Sequence, residues 1–338
     1  MNSKIIIRGG KKQYKIIDFL KGFSIITIVL MHLIQNYIEN VPSMISKAAS
    51  IGGTGVHIFI FCSGFGLYLS WLRNPKSYKD FFLRRFLKVY IPYIIVVTVS
   101  ALLPYMYSEN DRIAAYLSHV FLFKMFVPRY EESFGGQLWF VSTIIQFYFI
   151  FIPLCRVRKR IINTKFVFMF GLIISFIWWV FICFMGIYNL RIFSSFFLQY
   201  FWEFVLGMCI AEYLENKNDL IFKVKYLTIV CILGIGIEGI MAFKGNIFRV
   251  FNDIPAFIGY ASFAILVFKY CGNMIRNWIM IISRISYEWY LVHTVVFSTM
   301  YVLFGGQIII AVTALIISIG IAVGYSAIIK KYTKKFVM

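Results

Sequence analysis

Ten runs of about twenty apolar residues recur along the 338-residue chain, at 16–38, 53–72, 90–107, 138–155, 166–187, 195–213, 226–243, 254–270, 285–304 and 307–329. A run of that length is what an α-helix needs to cross a hydrocarbon core about 30 Å thick. Hydrophobic residues make up 61% of the chain and charged residues 14%, against about a quarter charged in soluble domains. A soluble core of this size cannot hide so much apolar surface, and lipid is the solvent that takes the excess. The pattern predicts an all-α integral membrane protein with about ten transmembrane helices. A single bundle occupies 16–329, with a basic tail over 1–15, a second over 330–338, and no separate soluble domain.

The formal net charge of +20 would suggest a nucleic-acid partner in a soluble protein. Here the positive-inside rule is a sufficient account. With the N-terminus in the cytoplasm, only Lys47, Arg112, Lys124, Arg129, Arg191, Lys244 and Arg249 fall outside, so 34 − 7 leaves 27 Lys and Arg on the inner segments. That asymmetry predicts both termini in the cytoplasm and an even number of spans. No nucleic acid is expected; the bilayer is the partner. The first apolar run is interrupted by Asp18, Lys21 and His32, and Ala48-Ala49-Ser50 lies far beyond it, so a retained helix is expected rather than a cleaved signal peptide. The six cysteines lie in or at the ends of apolar runs without C-x-x-C spacing. They read as small packing residues, and no metal site is expected. No internal repeat stands out. The longest loop, 108–137, holds an amphipathic stretch around Tyr116–Phe126 that suits the interface, and His119 within the loop is expected to be solvated or interfacial.

Ionisable residues inside a span are costly, so each is a functional candidate. The first run, IIDFLKGFSIITIVLMHLI, contains Asp18, Lys21 and His32. Eleven helical residues advance three turns plus roughly 20°, placing Lys21 and His32 on one face about 16 Å apart. Asp18 lies one turn before Lys21, within pairing reach. One reading makes Asp18 and Lys21 snorkelling residues and His32 a packing hydrogen-bonder. The other makes His32 a general base facing a cavity, since a neutral imidazole suits proton abstraction near pH 7. The second run, GGTGVHIFIFCSGFG, carries His57 and Ser63 among glycines; a packing serine is favoured over a nucleophile. The basic segment before the third run places Arg85 and Lys88 one helical turn apart ahead of Pro92, with Arg84 alongside. Orientation alone accounts for a basic segment there, but the pair also presents a cationic face for phosphates. Glu203 sits one turn after Gln199, and RISYEWYLVHTV holds Glu288 and His293, with Arg284 four residues before Glu288.

Taken in order, five blocks resemble the membrane acyltransferase-3 family. IDFLKGFSIITIVLMHL resembles the opening block, a basic residue and a histidine with ten residues between, here Lys21 and His32. GGTGVHIFIFCSGFGLYL is similar to the glycine-rich second block, with Gly55, Phe59, Ser63 and Gly64 in place. FFLRRFLKVYIPY resembles the R-x-x-R-then-proline block through Arg85, Lys88 and Pro92; LWFVSTIIQFYFIFIPL resembles the aromatic helix through Trp139, Tyr148 and Pro153; ISYEWYLVH resembles the terminal block ending at His293. Lys21 and Lys88 stand where the family more often has Arg, and Glu288 inherits no role. The resemblance covers essentially the whole chain and the stand-alone type, without an appended periplasmic hydrolase-like domain.

What the resemblance implies is an O-acyltransferase of the bacterial cytoplasmic membrane. It would move an acyl group, most often acetyl from acetyl-CoA as co-substrate with no bound cofactor, to a hydroxyl of a carbohydrate or lipid-linked glycan, as in polysaccharide O-acetylation. His32 and Lys21 are the expected catalytic residues, Arg85, Lys88 and Arg84 the donor-binding ones. Asp18, Ser63, His57, Trp139, Glu203 and His293 are supporting candidates. A transporter or exporter of glycan intermediates, using Asp18, Lys21, His32 and Glu203 as a polar path, is the alternative. Acceptor, acyl chain and oligomeric state are not encoded in any motif.

Overall fold

The computed structural model describes residues 5–8, 11–37, 49, 51–107, 111–161, 163–216 and 219–337. Lys4, Lys47 and Lys217 of the charge count, Ala48 and Ser50 of the cleavage-like triplet, and Met338 lie outside these. The chain is a helical bundle. In order, α1 spans Lys15–Tyr37, α2 Gly55–Arg73, α3 Tyr78–Ser100, α4 Arg112–Val120, α5 Trp139–Arg160 and α6 Thr164–Phe184. Then come α7 Phe201–Glu215, α8 Val224–Lys244, α9 Asp253–Tyr270, α10 Asn273–Ile282, α11 Ser286–Phe304 and α12 Ile308–Val337.

Eight helical stretches among the described residues are long and apolar enough to cross a membrane: Lys15–Tyr37, Ile51–Arg73, Gly136–Arg160, Thr164–Phe184, Arg191–Glu215, Val224–Lys244, Asp253–Tyr270 and Ile308–Tyr332. They coincide with eight of the ten predicted runs. The other two differ. The run at 90–107 straddles the end of α3, which starts at Tyr78 and stops at Ser100. The early start has a local cause: Ser77 caps the helix, its hydroxyl accepting from Asp80 N at 3.1 Å. Arg84, Arg85 and Lys88 therefore sit on helix rather than in a loop. The run at 285–304 becomes α11, whose 19 residues match a bilayer in length but include Glu288, His293 and several hydroxyls.

Both predicted tails are structured. Residues Ile5–Arg8 and Lys11–Tyr14 pair as a two-stranded antiparallel hairpin, Ile5 opposite Tyr14 and Arg8 opposite Lys11, a small exception to the all-α prediction. At the other end α12 continues to Val337 through what reads as a basic tail.

The core is built on close backbone approach. The most extensive helix pairs are α2 with α7 and α8 with α9. In the first, a Cβ at Gly64 would stand 2.1 Å from Phe204 O, and one at Gly207 would stand 2.1 Å from Phe61 O; only glycine admits so close a contact. Helix α1 packs against α2, α9, α10 and α11, which leaves Asp18, Lys21 and His32 half-buried and Gln35 and Asn36 exposed. Helices α6, α8 and α12 keep broad apolar faces exposed, with Phe176, Ile177, Ile232, Ile240, Ile309 and Ile316 among them. These are lipid-facing surfaces.

The loop at 108–137 is not a solvated strap. His119 is fully buried, against the prediction. Its partners explain this: Tyr93 Oη donates to Nδ1 at 2.7 Å, and Nε2–H donates to Ser133 O at 3.1 Å. Such partners are far apart in sequence and invisible to spacing. Burial holds its ring well below the ordinary histidine range. Lys124, also fully buried, donates from Nζ to Ser133 O and Gly135 O, both at 3.3 Å. Burial brings its ammonium down to about 7, with Glu132 opposing that fall and Arg191 reinforcing it.

Candidate active site

Residues of α1, the start of α2, α5, α11 and the 108–137 loop line a half-open cavity of about 560 Å³. Helix α1 contributes His32, Gln35 and Asn36; Trp139 and Phe140 come from the start of α5, Tyr290 and Thr294 from α11, and Glu132 and Gln137 from the loop; Arg191 also borders it. The walls are tied together. Tyr290 Oη donates to Gln137 O, and Gln137 Nε2 donates to Thr294 Oγ1. Trp139 stacks on Tyr200 at 5.8 Å, and the Arg191 guanidinium lies 5.8 Å from the Trp139 ring centre. Aromatic rings beside amide, carboxylate and guanidinium groups suit a polyhydroxylated molecule, which stacks on the former and hydrogen-bonds the latter.

His32 faces this cavity, and a second imidazole stands behind it. The rings of His32 and His293 are 5.3 Å apart between centres. His293 is fully buried; its Nδ1–H donates to Trp289 O at 2.9 Å, which leaves Nε2 as the lone-pair nitrogen. That nitrogen is buried without a hydrogen-bond partner among the described residues. His293 therefore meets His32 by ring packing, with its own tautomer set by the bond to Trp289 O.

The remaining candidates fall into two further groups. At the opposite end of α1, about 16 Å from His32 by helical rise, Lys21, Arg85, Glu288 and Lys330 all act electrostatically on Lys88. Arg84 and Arg85 also line a small recess with Trp71, Asn74 and Lys76. Asp18 is half-buried on α1, one turn below Lys21. The second group is His57 with Glu203, Nδ1–H donating to Oε1 at 2.6 Å. It lies next to the cavity but is not part of its lining; the His57 ring is 5.5 Å from that of Tyr200. Ser63 donates to Phe59 O at 2.8 Å within its own helix, the packing role favoured for it.

Several cavity and cluster residues were missed from sequence. Glu238, inside an apolar run, satisfies the same intramembrane-charge criterion as Glu203 and was there to be read. Asp253 begins its helix, one residue before the predicted run at 254–270. Tyr290, Gln137 and Arg191 carry no local signal; only the tertiary fold brings them to His32.

With this geometry in place, comparison with protein families matches the acyltransferase-3 model, an acyltransferase domain, over residues 14–329. The chain belongs to the acyltransferase-3 family: it is a multi-pass membrane acyltransferase. Comparisons with curated proteins and with solved structures each returned no match.

Proposed function

We propose that the protein transfers an acyl group, acetyl in the simplest case, from acyl-CoA to a hydroxyl of a carbohydrate or lipid-linked glycan at the bacterial cytoplasmic membrane. The observation that carries this reading is the placement of His32 on the wall of a 560 Å³ cavity, with a cationic group at the other end of the same helix. In this mechanism Arg84, Arg85, Lys88 and Lys21 hold the CoA phosphates by charge and, for the arginines, by paired hydrogen bonds. The pantetheine arm runs along the polar side of α1 and presents the thioester near His32. The acceptor sugar occupies the cavity beside Trp139. The His32 imidazole takes the hydroxyl proton as the oxygen attacks the thioester carbonyl; the C–S bond breaks, and the imidazolium returns the proton to the departing thiolate. His293 packs behind the His32 ring, 5.3 Å between centres, and limits the orientations that ring can take.

Purified protein in liposomes with labelled acetyl-CoA tests this. Label should move to a glycan or lipid-linked acceptor in proportion to CoA released. A normally folded His32→Ala variant that keeps full transfer would remove His32 from the mechanism. Glycan movement without CoA release would favour an exporter.

A further inference from the structure

Of the polar residues outside this mechanism, four converge where the two most extensive helix pairs meet. His57 is on α2, Glu203 on α7, Asp253 at the start of α9, and Glu238 on α8. One ligand atom from each of His57, Glu203 and Asp253 lies within 4.8 Å of the other two. His57 Nε2 stands 3.8 Å from Asp253 Oδ1, too long for a hydrogen bond. Glu238 acts on His57 electrostatically and is anchored by Thr54, whose hydroxyl donates to Oε1 at 2.6 Å.

This group is short of positive charge. One imidazole faces three carboxylates, and no lysine or arginine pairs with any of them among the described residues. It is also short of donors. Glu203 is fully buried, and its Oε2 has no partner among the described residues. Glu238 Oε2 and the Gln199 side-chain oxygen are likewise buried and unpartnered, while Gln199 Nε2 holds Asp253 Oδ2 at 2.7 Å. In an apolar bundle, stranded carboxylate oxygens cost several kcal/mol each. A cation removes that cost.

We infer that His57, Glu203 and Asp253 form a binding site for a divalent transition-metal ion of the zinc class. One nitrogen with carboxylate oxygens is a borderline donor set that favours zinc or its neighbours over calcium or magnesium. With tetrahedral metal–ligand bonds of about 2.1 Å, donors stand about 3.4 Å apart, so the present arrangement, His57 Nε2 and Asp253 Oδ1 at 3.8 Å, closes on an ion by side-chain adjustments. His57 and Asp253 keep 14% and 12% of their side-chain surface open, which gives an ion a way in. Glu203 either joins them through Oε2 or holds the imidazole through Nδ1, leaving Nε2 for the metal, as outer carboxylates do around metal-bound histidines. The bound ion ties α2, α7 and α9 together behind Tyr200 and Trp139, adjoining the acceptor cavity without entering it.

The site is tested on tag-free, chelator-stripped full-length protein reloaded with zinc chloride and desalted, with zinc measured by mass spectrometry. The expected content is about one zinc per chain, with thermal stability rising on zinc addition. In Glu203→Gln and Asp253→Asn variants that elute as monodisperse protein, zinc should fall to background. Cobalt loaded into the wild type should give visible absorption of a nitrogen–oxygen site, a readout independent of whether the variants fold. No zinc retention by the wild type, no cobalt bands, or full retention in folded variants would each overturn the site. The first two outcomes would leave the four residues as a proton-sharing cluster.

Discussion

His32 and His293 form a pair in which one ring meets the cavity and the other is sealed behind it with a lone pair open. If His32 is the base, His32→Gln should lower kcat by about 10²–10⁴-fold, the span of a general base. His293→Asn should lower kcat less, leave the donor KM unchanged and alter the pH profile, since it packs against the His32 ring rather than touching substrate; wild-type kinetics in a folded variant would deny it that part. Replacing Arg85 and Lys88 together by Gln should raise the apparent KM for acetyl-CoA more than it lowers kcat. Lys124 makes a separate prediction. Its ammonium titrates near 7 in the folded protein and near 10.4 in an unfolded chain. Between those values the unfolded chain binds more protons, so stability should climb as pH rises from about 7 to about 10. Lys124→Met should flatten that climb, as read from melting temperatures at pH 7 and pH 9 in one detergent. His32 and Lys21 were legible because intramembrane charges are rare enough to flag singly. His119 was misread because its partners, Tyr93 and Ser133, lie on separate elements.

Among the elements, the contact between α2 and α7 offers the sharpest test of packing. Gly64→Ala drives a methyl into the Phe204 carbonyl, 2.1 Å away, and backbone must shift to admit it. A loss of about 1–3 kcal/mol is expected, seen as a lower melting temperature in detergent. Gly66 is two residues along the same helix, and a Cβ there meets nothing within 4 Å. Gly66→Ala should be neutral or stabilising by up to about 1 kcal/mol. Equal effects from the two would mean that helix propensity, not contact, governs the site. Hydropathy located the eight strongly apolar stretches well because their signal is local. It placed the third run too late because Ser77 and Asp80 nucleate α3 well before the apolar residues begin, and it could not see the N-terminal hairpin, whose strands are only four residues each.

For the whole molecule, the charge asymmetry predicts that reporters fused to either end will both be active only on the cytoplasmic side; opposite sides would require an odd number of crossings. The broad apolar faces of α6, α8 and α12 explain why so little of the chain is devoted to water. The separation along α1 between the cationic end and the His32 cavity has an electrical consequence. In the proposed reaction the phosphates of the donor stay at one face, and only a neutral acyl group travels inward. A charge carried through the full field would couple to the rate by about 2.3 kcal/mol per 100 mV. Acyl transfer in sealed liposomes should therefore proceed at one rate whether the membrane is polarised or not, a neutrality that a carrier of charged glycan intermediates would not share.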